Sequence, residues 1–385
     1  MKAAELIHQE PFADRLTTTM SNFLELRFGG EWRVGWNDTV SRSTSQRWLV
    51  NLNINAVFRQ GVHAETLEVV RREFGTSVIR WKRPLQRMYF WLATSGACGR
   101  LAHASLNVDP PVPEADYWLV VPGTHKIRFI DSRNSLVYCC RKSGCSPSHF
   151  ARELDARRYA LEQGVPVPPV VRTLSADCIA EPLITGTPLN RLVSREEQQQ
   201  GFEAALHALE PLYRASGRTA EICSYASRIL DAVGAHAGSA EAIASSRAYD
   251  LAKRLYLSLE RCTDNVELVR AHGDFQPGNL LYDRGAIWLI DWEYSAERQR
   301  EFDRMTYELR SRFDAGLTDR IAVYAGSCTN LPALDTLRLF LLETIHYECE
   351  HAALMKPSSV YRSLAGKVAA FEAALHHFPN GMVRR

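Results

Sequence analysis

The feature that most constrains the fold of this chain is a β-rich interruption at residues 266–292, inside a half that otherwise has helical periodicity. A polar loop, residues 272–279, precedes two short apolar runs that are joined by the turn residues 283–285. Such a hairpin would bring Asn279, at its entry, close to Asp291, at its exit. An amide oxygen and a carboxylate that converge in this way are hard-oxygen ligands suited to Mg²⁺. The stretch therefore predicts a metal site at the open end of a hairpin.

The same loop contains a candidate general base. Asp274 lies five residues before Asn279, so we expect it near the metal without being obliged to bind it. Taken separately, His-Gly-Asp is typical of a turn and Ile-Asp-Trp of a strand end. The order and spacing of the two fragments together favour a catalytic site.

The overall composition is that of a globular protein. The 385 residues are 46% hydrophobic and 23% charged, which excludes disorder and collagen-like repeats and predicts two or three domains. A net charge of +2 predicts no nucleic-acid partner, and no run of eighteen apolar residues is present, so we expect no membrane partner. The first ten residues contain acids where a signal peptide needs an apolar core. The neighbours Cys139 and Cys140 favour reduced thiols, and together these features predict a cytoplasmic protein.

The first hundred residues differ from the rest in charge and aromatic content. Residues 1–106 contain 14 Lys+Arg, 9 Asp+Glu and five of the eight tryptophans. We predict a small α+β N-terminal domain whose tryptophans mostly form its core and which could also dock a partner or form an oligomer. Its expected elements are a hairpin around Gly29-Gly30, strands over 48–54 and 77–81, and a helix over 64–74. The Pro-rich residues 107–116 predict an extended linker.

Two further regions follow the linker. Residues 117–188 predict strands and one helix, and residues 189–385 have mostly helical patterns. The expected strands are 118–121, 126–130, 136–142, 170–174 and 179–182, with a helix over 150–163. The fold class is therefore α+β, with a small β-rich part, a short connector and a large helical part behind the N-terminal domain.

The loop motif His272-x-Asp274-x4-Asn279, followed by Ile290-Asp291-Trp292-Glu293, resembles the aminoglycoside phosphotransferase and choline kinase families. These are small-molecule kinases of the protein-kinase-like fold. Asp303, twelve residues after Asp291, matches an acidic residue that supports the catalytic loop in these families. Over residues 117 to about 375, the resemblance implies a bilobal fold with a β-rich N-lobe and a helical C-lobe.

The resemblance also implies an activity and roles for residues. The activity is transfer of the γ-phosphate of ATP, with GTP as a possible donor, to a hydroxyl of a small molecule such as an antibiotic, a sugar or an amino alcohol. Asp274 would act as the base, and Asn279 and Asp291 would hold Mg²⁺. His272 and Asp303 would support the loop rather than react.

The nucleotide side lies upstream of the motif. The resemblance implies that Lys142, at the end of the third strand of the N-lobe, contacts the phosphates and pairs with Glu153 on the following helix. Arg141 and Lys126 compete for this role, and a lysine at a strand end is commonly only a solvated charge. Gly123 would belong to the loop over the phosphates. The backbone around Glu181 and Leu183 would face the adenine.

Other aspects of function stay open at this stage. Glu343 and Tyr347 share a helix face that would suit an amine, or that is merely a partly solvated amphipathic face. The chain could also be a nucleotide-binding scaffold without activity, or a protein or peptide kinase that docks its partner through residues 1–106. A scaffold of this kind tends to lose a base or a metal ligand, and none is missing here.

Overall fold

The computed structural model describes residues 7, 10–37, 45–74, 81–95, 101–237, 242–354 and 360–378. The chain divides into two compact units. The first unit comprises Met1–Ala208 and Pro277–Glu293, and the second comprises Leu209–Gln276 and Tyr294–Arg385.

The first unit contains twelve of the described strands and four complete helices. Its strands are β1 (Arg33–Trp36), β2 (Gln46–Asn51), β3 (Ala56–Arg59), β4 (Ala104–Asp109), β5 (Trp118–Pro122), β6 (Lys126–Asp131), β7 (Leu136–Arg141), β8 (Arg172–Ser175), β9 (Cys178–Pro182), β10 (Thr187–Pro188), β13 (Leu280–Asp283) and β14 (Ala286–Leu289). Its helices are α1 (Phe12–Phe28), α2 (Ala64–Phe74), α3 (Lys82–Thr94) and α4 (Pro147–Glu162), and α5 (Arg195–Ser216) continues into the second unit.

Nine of these strands form one antiparallel sheet, in the order β1-β4-β2-β3-β5-β6-β7-β9-β8. Strand β3 joins β5 in this sheet, with Val57 opposite Val120 and Phe58 opposite Leu119. The predicted division at residues 107–116 is therefore corrected, because both sides of it contribute strands to one sheet and to one compact unit. Edge strands that find partners in this way bury their free backbone groups, which two separate sheets would leave exposed.

The predicted hairpin around Gly29-Gly30 is also wrong, because its first half is helical. Apolar side chains that are buried in α1 recur with helical spacing over 17 residues, which outweighs the short alternation at residues 23–28. Gly29, with φ 75°, ends the helix and donates its N–H to the carbonyl of Glu25. The helix at Ala64–Phe74 and the three strands β5, β6 and β7 confirm their predictions. The predicted strand at 77–81 lies outside the described residues, apart from Trp81.

Helices cover both faces of the nine-stranded sheet. On one face α1 packs against the sheet, and Phe23 stacks on Phe129 with ring centroids 4.0 Å apart. On the other face, residues of α2, α3 and α4 pack against Leu119 and Ile130. Trp48 is buried as predicted for a core tryptophan, whereas Trp81 and Trp91 are each 67% exposed.

Cys140 and Cys178 lie opposite each other in β7 and β9, with Cα atoms 4.2 Å apart, and form a disulfide. The expectation of reduced thiols is thereby corrected for Cys140, while its neighbour Cys139 is free and buried. The two cysteines alternate along β7, so only one of them can face Cys178.

The second unit is mainly helical. Its described elements are β11 (Arg218–Glu221), α6 (Ile222–Ala237), α7 (Ala242–Leu259), β12 (Asn265–Ala271), β15 (Ala296–Gln299), α8 (Phe302–Glu308), α9 (Leu317–Ser327), α10 (Leu331–Leu354) and α11 (Val360–Leu375). The helices enclose an apolar core in which Phe340 and Leu341 of α10 are fully buried. No helix in the described part of the chain is both long enough and apolar enough to cross a membrane.

The β-rich interruption forms as two antiparallel elements. In the first unit β13 and β14 pair as the predicted hairpin, with Leu280 opposite Leu289, and β10 extends this sheet. In the second unit β12 lies between β11 and β15. The chain thus leaves β12, forms the loop at 272–279 and enters the hairpin.

Candidate active site

Four charged residues form a cluster in the first unit, here called the Lys126 cluster: Lys126, Arg128, Glu153 and Asp291. The Nζ atom of Lys126 lies 2.6 Å from Oε1 of Glu153 and 2.8 Å from Oδ1 of Asp291. Arg128 donates to the same Asp291 oxygen. Lys126 and Arg128 are two residues apart on β6, so both point to one face of the sheet, and Glu153 reaches that face from α4.

The electrostatics of this cluster strongly favour the charged forms. Burial opposes the charge of Lys126, but Asp291 and Glu153 outweigh this effect and raise the lysine pKa. Burial likewise opposes the charge of Asp291, but Arg128 and Lys126 lower the pKa of its carboxyl. The cluster therefore holds an ionised carboxylate between two permanent cations.

The β13–β14 hairpin places the two predicted metal ligands at its open end. The N–H of Ile290 donates to the carbonyl of Asn279, 3.0 Å away, so Asn279 lies beside the residue that precedes Asp291. Asp291 has φ 64°, a left-handed conformation that is uncommon outside glycine. Such backbone strain tends to persist at functional sites, where the surrounding structure enforces it.

Lys142 lies away from this cluster, so its predicted pairing with Glu153 is corrected. Its Nζ atom lies 2.6 Å from Oε1 of Glu10, and Glu10 also pairs with Arg15 of α1. Burial lowers the pKa of Lys142, although Glu10 opposes this. The reason is geometric: the side chains of Lys126 and Glu153 meet on one face of the sheet, whereas Lys142 follows β7 and meets the segment that precedes α1.

The other predicted nucleotide contacts have structural partners. Gly123 donates its N–H to the carbonyl of Lys126, and an added Cβ atom would lie 2.7 Å from that oxygen, so the turn before β6 needs glycine. The Glu181 carboxylate accepts from Arg157 and from the thiol of Cys139. Leu183 donates its N–H to the carbonyl of Ser135, 2.8 Å away, so this group is already engaged.

A second group lies in the second unit and is here called the Asp274 cluster: His272, Gly273, Asp274, Asp303 and Arg312. Asp303 accepts from the backbone N–H of His272 at 2.7 Å, from that of Gly273 at 3.0 Å and from the hydroxyl of Tyr213 at 2.8 Å. His272 is fully buried, and its Nδ1 accepts from the N–H of Asp274. These bonds anchor the loop that carries Asp274.

Arg312 binds the carboxylate of Asp274 directly. Its Nε donates to Oδ1 of Asp274 at 2.8 Å, and another nitrogen donates to the Gly273 carbonyl. The guanidinium carbon lies 3.5 Å from the ring centroid of Tyr347. Burial opposes the charge of Arg312, but Tyr347, Asp274 and Glu348 together raise its pKa. The other Asp274 oxygen accepts from Gln276 at 2.9 Å, so both oxygens of the predicted base are oriented.

The predicted amine-binding face is absent from α10, because Glu343 and Tyr347 are both buried. Glu343 accepts from the hydroxyl of Tyr225 at 2.7 Å and from Gln299. The ring of Tyr347 already contacts the cation of Arg312. The partly solvated alternative is wrong as well, since this part of α10 is enclosed by other elements of the second unit.

Sequence reasoning undervalued Lys126 and missed Arg128 and Arg312. The only available signal for the first two was their spacing of two residues along a predicted strand. Arg312 follows α8 in a short segment with no motif, and nothing in the sequence links it to Asp274, 38 residues earlier.

One family model matches more than half of this chain. The phosphotransferase enzyme family matches residues 127–340 of this chain. A choline/ethanolamine kinase family protein from Mesorhizobium loti is 16% identical, with 76% of this chain and 94% of that chain covered and a TM-score of 0.45. An ethanolamine kinase from Plasmodium vivax is 14% identical, with 81% and 94% covered and a TM-score of 0.46. An aminoglycoside phosphotransferase is 14% identical, with 66% and 93% covered and a TM-score of 0.47. Among proteins with curated functions, none matches the sequence significantly.

The match to this family model shows that the chain is a phosphotransferase, with an antiparallel-sheet first unit and a mainly helical second unit. The chain belongs to the phosphotransferase enzyme family.

Proposed function

We propose that this protein transfers the γ-phosphate of ATP to a hydroxyl of a small molecule, with Asp274 as the catalytic base. The observation that carries the proposal is the continuous ion-pair chain Glu153–Lys126–Asp291, with contacts of 2.6 and 2.8 Å. Phosphoryl transfer depends mainly on positioning and on neutralising charge, and a lysine fixed between two carboxylates suits both tasks. The proposed setting is the cytoplasm, where ATP is abundant.

The donor set at the hairpin fits a divalent cation. Asn279 and Asp291 contribute an amide oxygen and a carboxylate, which are the hard oxygen ligands that Mg²⁺ prefers. When bound there, the metal would neutralise phosphate charge.

On the acceptor side, the proposed role of Asp274 is to accept or orient the proton of the attacking hydroxyl. Arg312 and Gln276 hold its two oxygens in fixed directions. The bonds from the backbone to Asp303 hold the loop itself. Such preorganisation is what a base needs in order to act on a correctly placed hydroxyl.

The first test is Mg²⁺-dependent phosphate transfer from ATP and from GTP to a panel of hydroxylated acceptors. The panel contains aminoglycosides, macrolides, nucleosides, sugars and amino alcohols. Asp274→Asn should lower the transfer rate by about 10²–10⁴-fold, whereas Asp283→Asn, in the exposed hairpin turn, should not change it. Transfer that survives Asp274→Asn would exclude this base, and nucleotide binding without transfer to any acceptor would count against the small-molecule substrate.

A second prediction separates the two candidate lysines. We expect Lys126→Met to lower kcat/KM for ATP by roughly 10²–10³-fold, because a charge aimed at the phosphates is lost. Lys142→Met should leave kcat/KM for ATP nearly unchanged in the folded protein, since Lys142 pairs with Glu10. Steady-state kinetics with varied ATP measure both effects, and thermal unfolding identifies any variant that fails to fold. A larger loss in Lys142→Met than in Lys126→Met would reverse the assignment.

A further inference from the structure

Helix α3 and the residue before it, Trp81, present apolar side chains to solvent along one face. Trp81, Leu85, Met88 and Leu92 follow the spacing i, i+4, i+7, i+11, which aligns them on a single stripe. They are 67%, 53%, 55% and 37% exposed, and Trp91 beside them is 67% exposed. Exposed apolar residues that cluster in this way usually mark an interaction site, whereas single ones need no explanation.

The opposite face of α3 is firmly attached to the first unit. Phe90 and Ala93 are buried, and Phe90 belongs to the core beneath the sheet. The Tyr89 hydroxyl lies 2.8 Å from the Asn53 side-chain nitrogen and 3.3 Å from Oδ1 of Asn51. The exposed stripe is therefore the outer face of a docked helix.

The stretch of sequence that contains α3 carries charge of one sign. Residues 74–108 contain five Lys+Arg and no Asp or Glu. Lys82 and Arg87 are exposed on α3 on either side of the apolar stripe, and Lys82 Nζ lies 5.3 Å from the ring centroid of Trp81. The stripe contains tryptophan, and the helix that carries it has cations and no acidic residue. Such a helix complements a surface that is apolar inside and anionic outside.

We infer that α3 is an interfacial helix that binds the kinase to the surface of an anionic lipid bilayer. Trp81, Trp91, Leu85 and Met88 insert at the boundary between headgroups and acyl chains, and Lys82 and Arg87 contact the anionic headgroups. The helix lies on the bilayer and does not cross it, since it has only 13 residues. This revises the expectation of no membrane partner, which rested on the lack of a spanning segment.

The test is co-sedimentation of the full-length protein with vesicles. One set contains phosphatidylcholine alone, and the other contains phosphatidylcholine and phosphatidylglycerol in equal amounts. We expect binding to the anionic vesicles that weakens as salt is raised. Leu85→Glu/Met88→Glu should lower the partition coefficient at least about tenfold, because it places charge in the apolar stripe, and Lys82→Glu/Arg87→Glu should do so through the loss of headgroup attraction.

Matched controls use exposed residues of the second unit. Val323→Glu replaces an apolar side chain that is 75% exposed on α9, and Lys253→Glu reverses an exposed charge on α7. Both should bind vesicles like the unchanged protein. Circular dichroism and thermal unfolding show whether the α3 variants fold. These variants should retain phosphate transfer in solution. A failure of membrane binding can therefore be distinguished from a failure of the proposed kinase activity.

Three results would overturn the inference. The first is equal or no binding to both kinds of vesicle, and the second is full binding by both α3 double variants. The third is a dimer in light scattering that Leu85→Glu/Met88→Glu converts to a monomer, because the stripe would then be an interface between two copies of the chain.

Discussion

Arg312 connects the loop of Asp274 with Tyr347 of α10, which lies 73 residues later in the sequence. It binds the carboxylate of Asp274, the carbonyl of Gly273 and the ring of Tyr347. Its remaining nitrogen lies 3.5 Å from Glu348. A planar guanidinium can satisfy several partners in fixed directions, which a lysine cannot fully reproduce. At this scale, Arg312 orients one oxygen of the proposed base and Gln276 orients the other.

Replacement of Arg312 should therefore affect the chemical step more than nucleotide binding. We expect Arg312→Ala to lower kcat by about a hundredfold, since small displacements of a catalytic group have effects of that size. Arg312→Lys should recover part of this loss because it restores the charge, and KM for ATP should change little in either variant. Steady-state kinetics measure kcat and KM separately, with Arg304→Ala on the surface of α8 as control. Equal kcat in Arg312→Ala and the unchanged protein would remove this positioning role.

The backbone of the same loop depends on Gly273, which has φ 85°. An added Cβ atom would lie 1.9 Å from the carbonyl oxygen of Tyr294, which no side chain can tolerate without a backbone shift. Gly285 has a similar φ of 92° but open space around it. We expect Gly285→Ala to cost about 1–2 kcal/mol of unfolding free energy from the left-handed conformation alone.

Gly273→Ala should cost more than Gly285→Ala and should also reduce phosphate transfer, because the clash displaces the loop of Asp274. Urea unfolding and transfer assays on both variants provide the comparison. If the two variants lose the same stability and retain the same activity, the close approach of Gly273 to Tyr294 is not needed for phosphate transfer.

At the scale of elements, the packing of α10 shifts the pKa values of two titratable groups in opposite directions. Burial raises the pKa of Glu343 to about 7 and lowers that of His346 to about 4. Glu343 contacts Tyr225 and Gln299, and Arg298 acts on both groups. Between the unfolded and folded pKa values, folded Glu343 keeps a proton that the unfolded chain has lost, so its contribution to stability falls as pH rises. His346 remains neutral in the folded state where the unfolded chain is protonated, so its contribution rises with pH.

The pH-dependent contributions of Glu343 and His346 to the free energy of unfolding should largely cancel in the unchanged protein. Each contribution should become measurable when the other residue is replaced. Relative to the unchanged protein, Glu343→Gln should gain roughly 3 kcal/mol of unfolding free energy between about pH 4 and pH 8, since its pH-dependent penalty is removed. His346→Asn should lose a comparable amount over the same range. Urea unfolding at several pH values measures both differences. A pH-independent difference in either variant would contradict the corresponding shift.

At the scale of the whole chain, the first hundred residues belong to the same unit as the Lys126 cluster. Strand β3 pairs with β5, and α1 covers Trp118, Phe129 and Tyr138. Glu10 also supplies the partner of the buried Lys142. An N-terminal domain that folds separately would make none of these contacts.

A chain that begins at residue 117 should therefore fail to fold. The short chain lacks α1, so several aromatic side chains that are buried in the full chain become exposed. Each such loss of burial costs about 3–5 kcal/mol, and the sum approaches or exceeds the stability of a typical domain. Expression of residues 117–385, followed by thermal unfolding, tests this, and co-expression of residues 1–116 should restore a folded complex. Cooperative unfolding of the short chain on its own would instead support the separate domain that the sequence predicted.

The sequence by itself determined the features that depend on local pattern. The alternation in β5, β6 and β7, the turn between β13 and β14, and the spacing of Asp274, Asn279 and Asp291 all lie within short stretches of chain, where period and turn chemistry decide the outcome. Tertiary structure decided which charges meet. Lys126, rather than Lys142, reaches Glu153, and Arg312 reaches Asp274 across 38 residues. The reason is that a local pattern specifies on which face of a strand or helix a side chain lies, whereas its partner depends on which other element packs against that face.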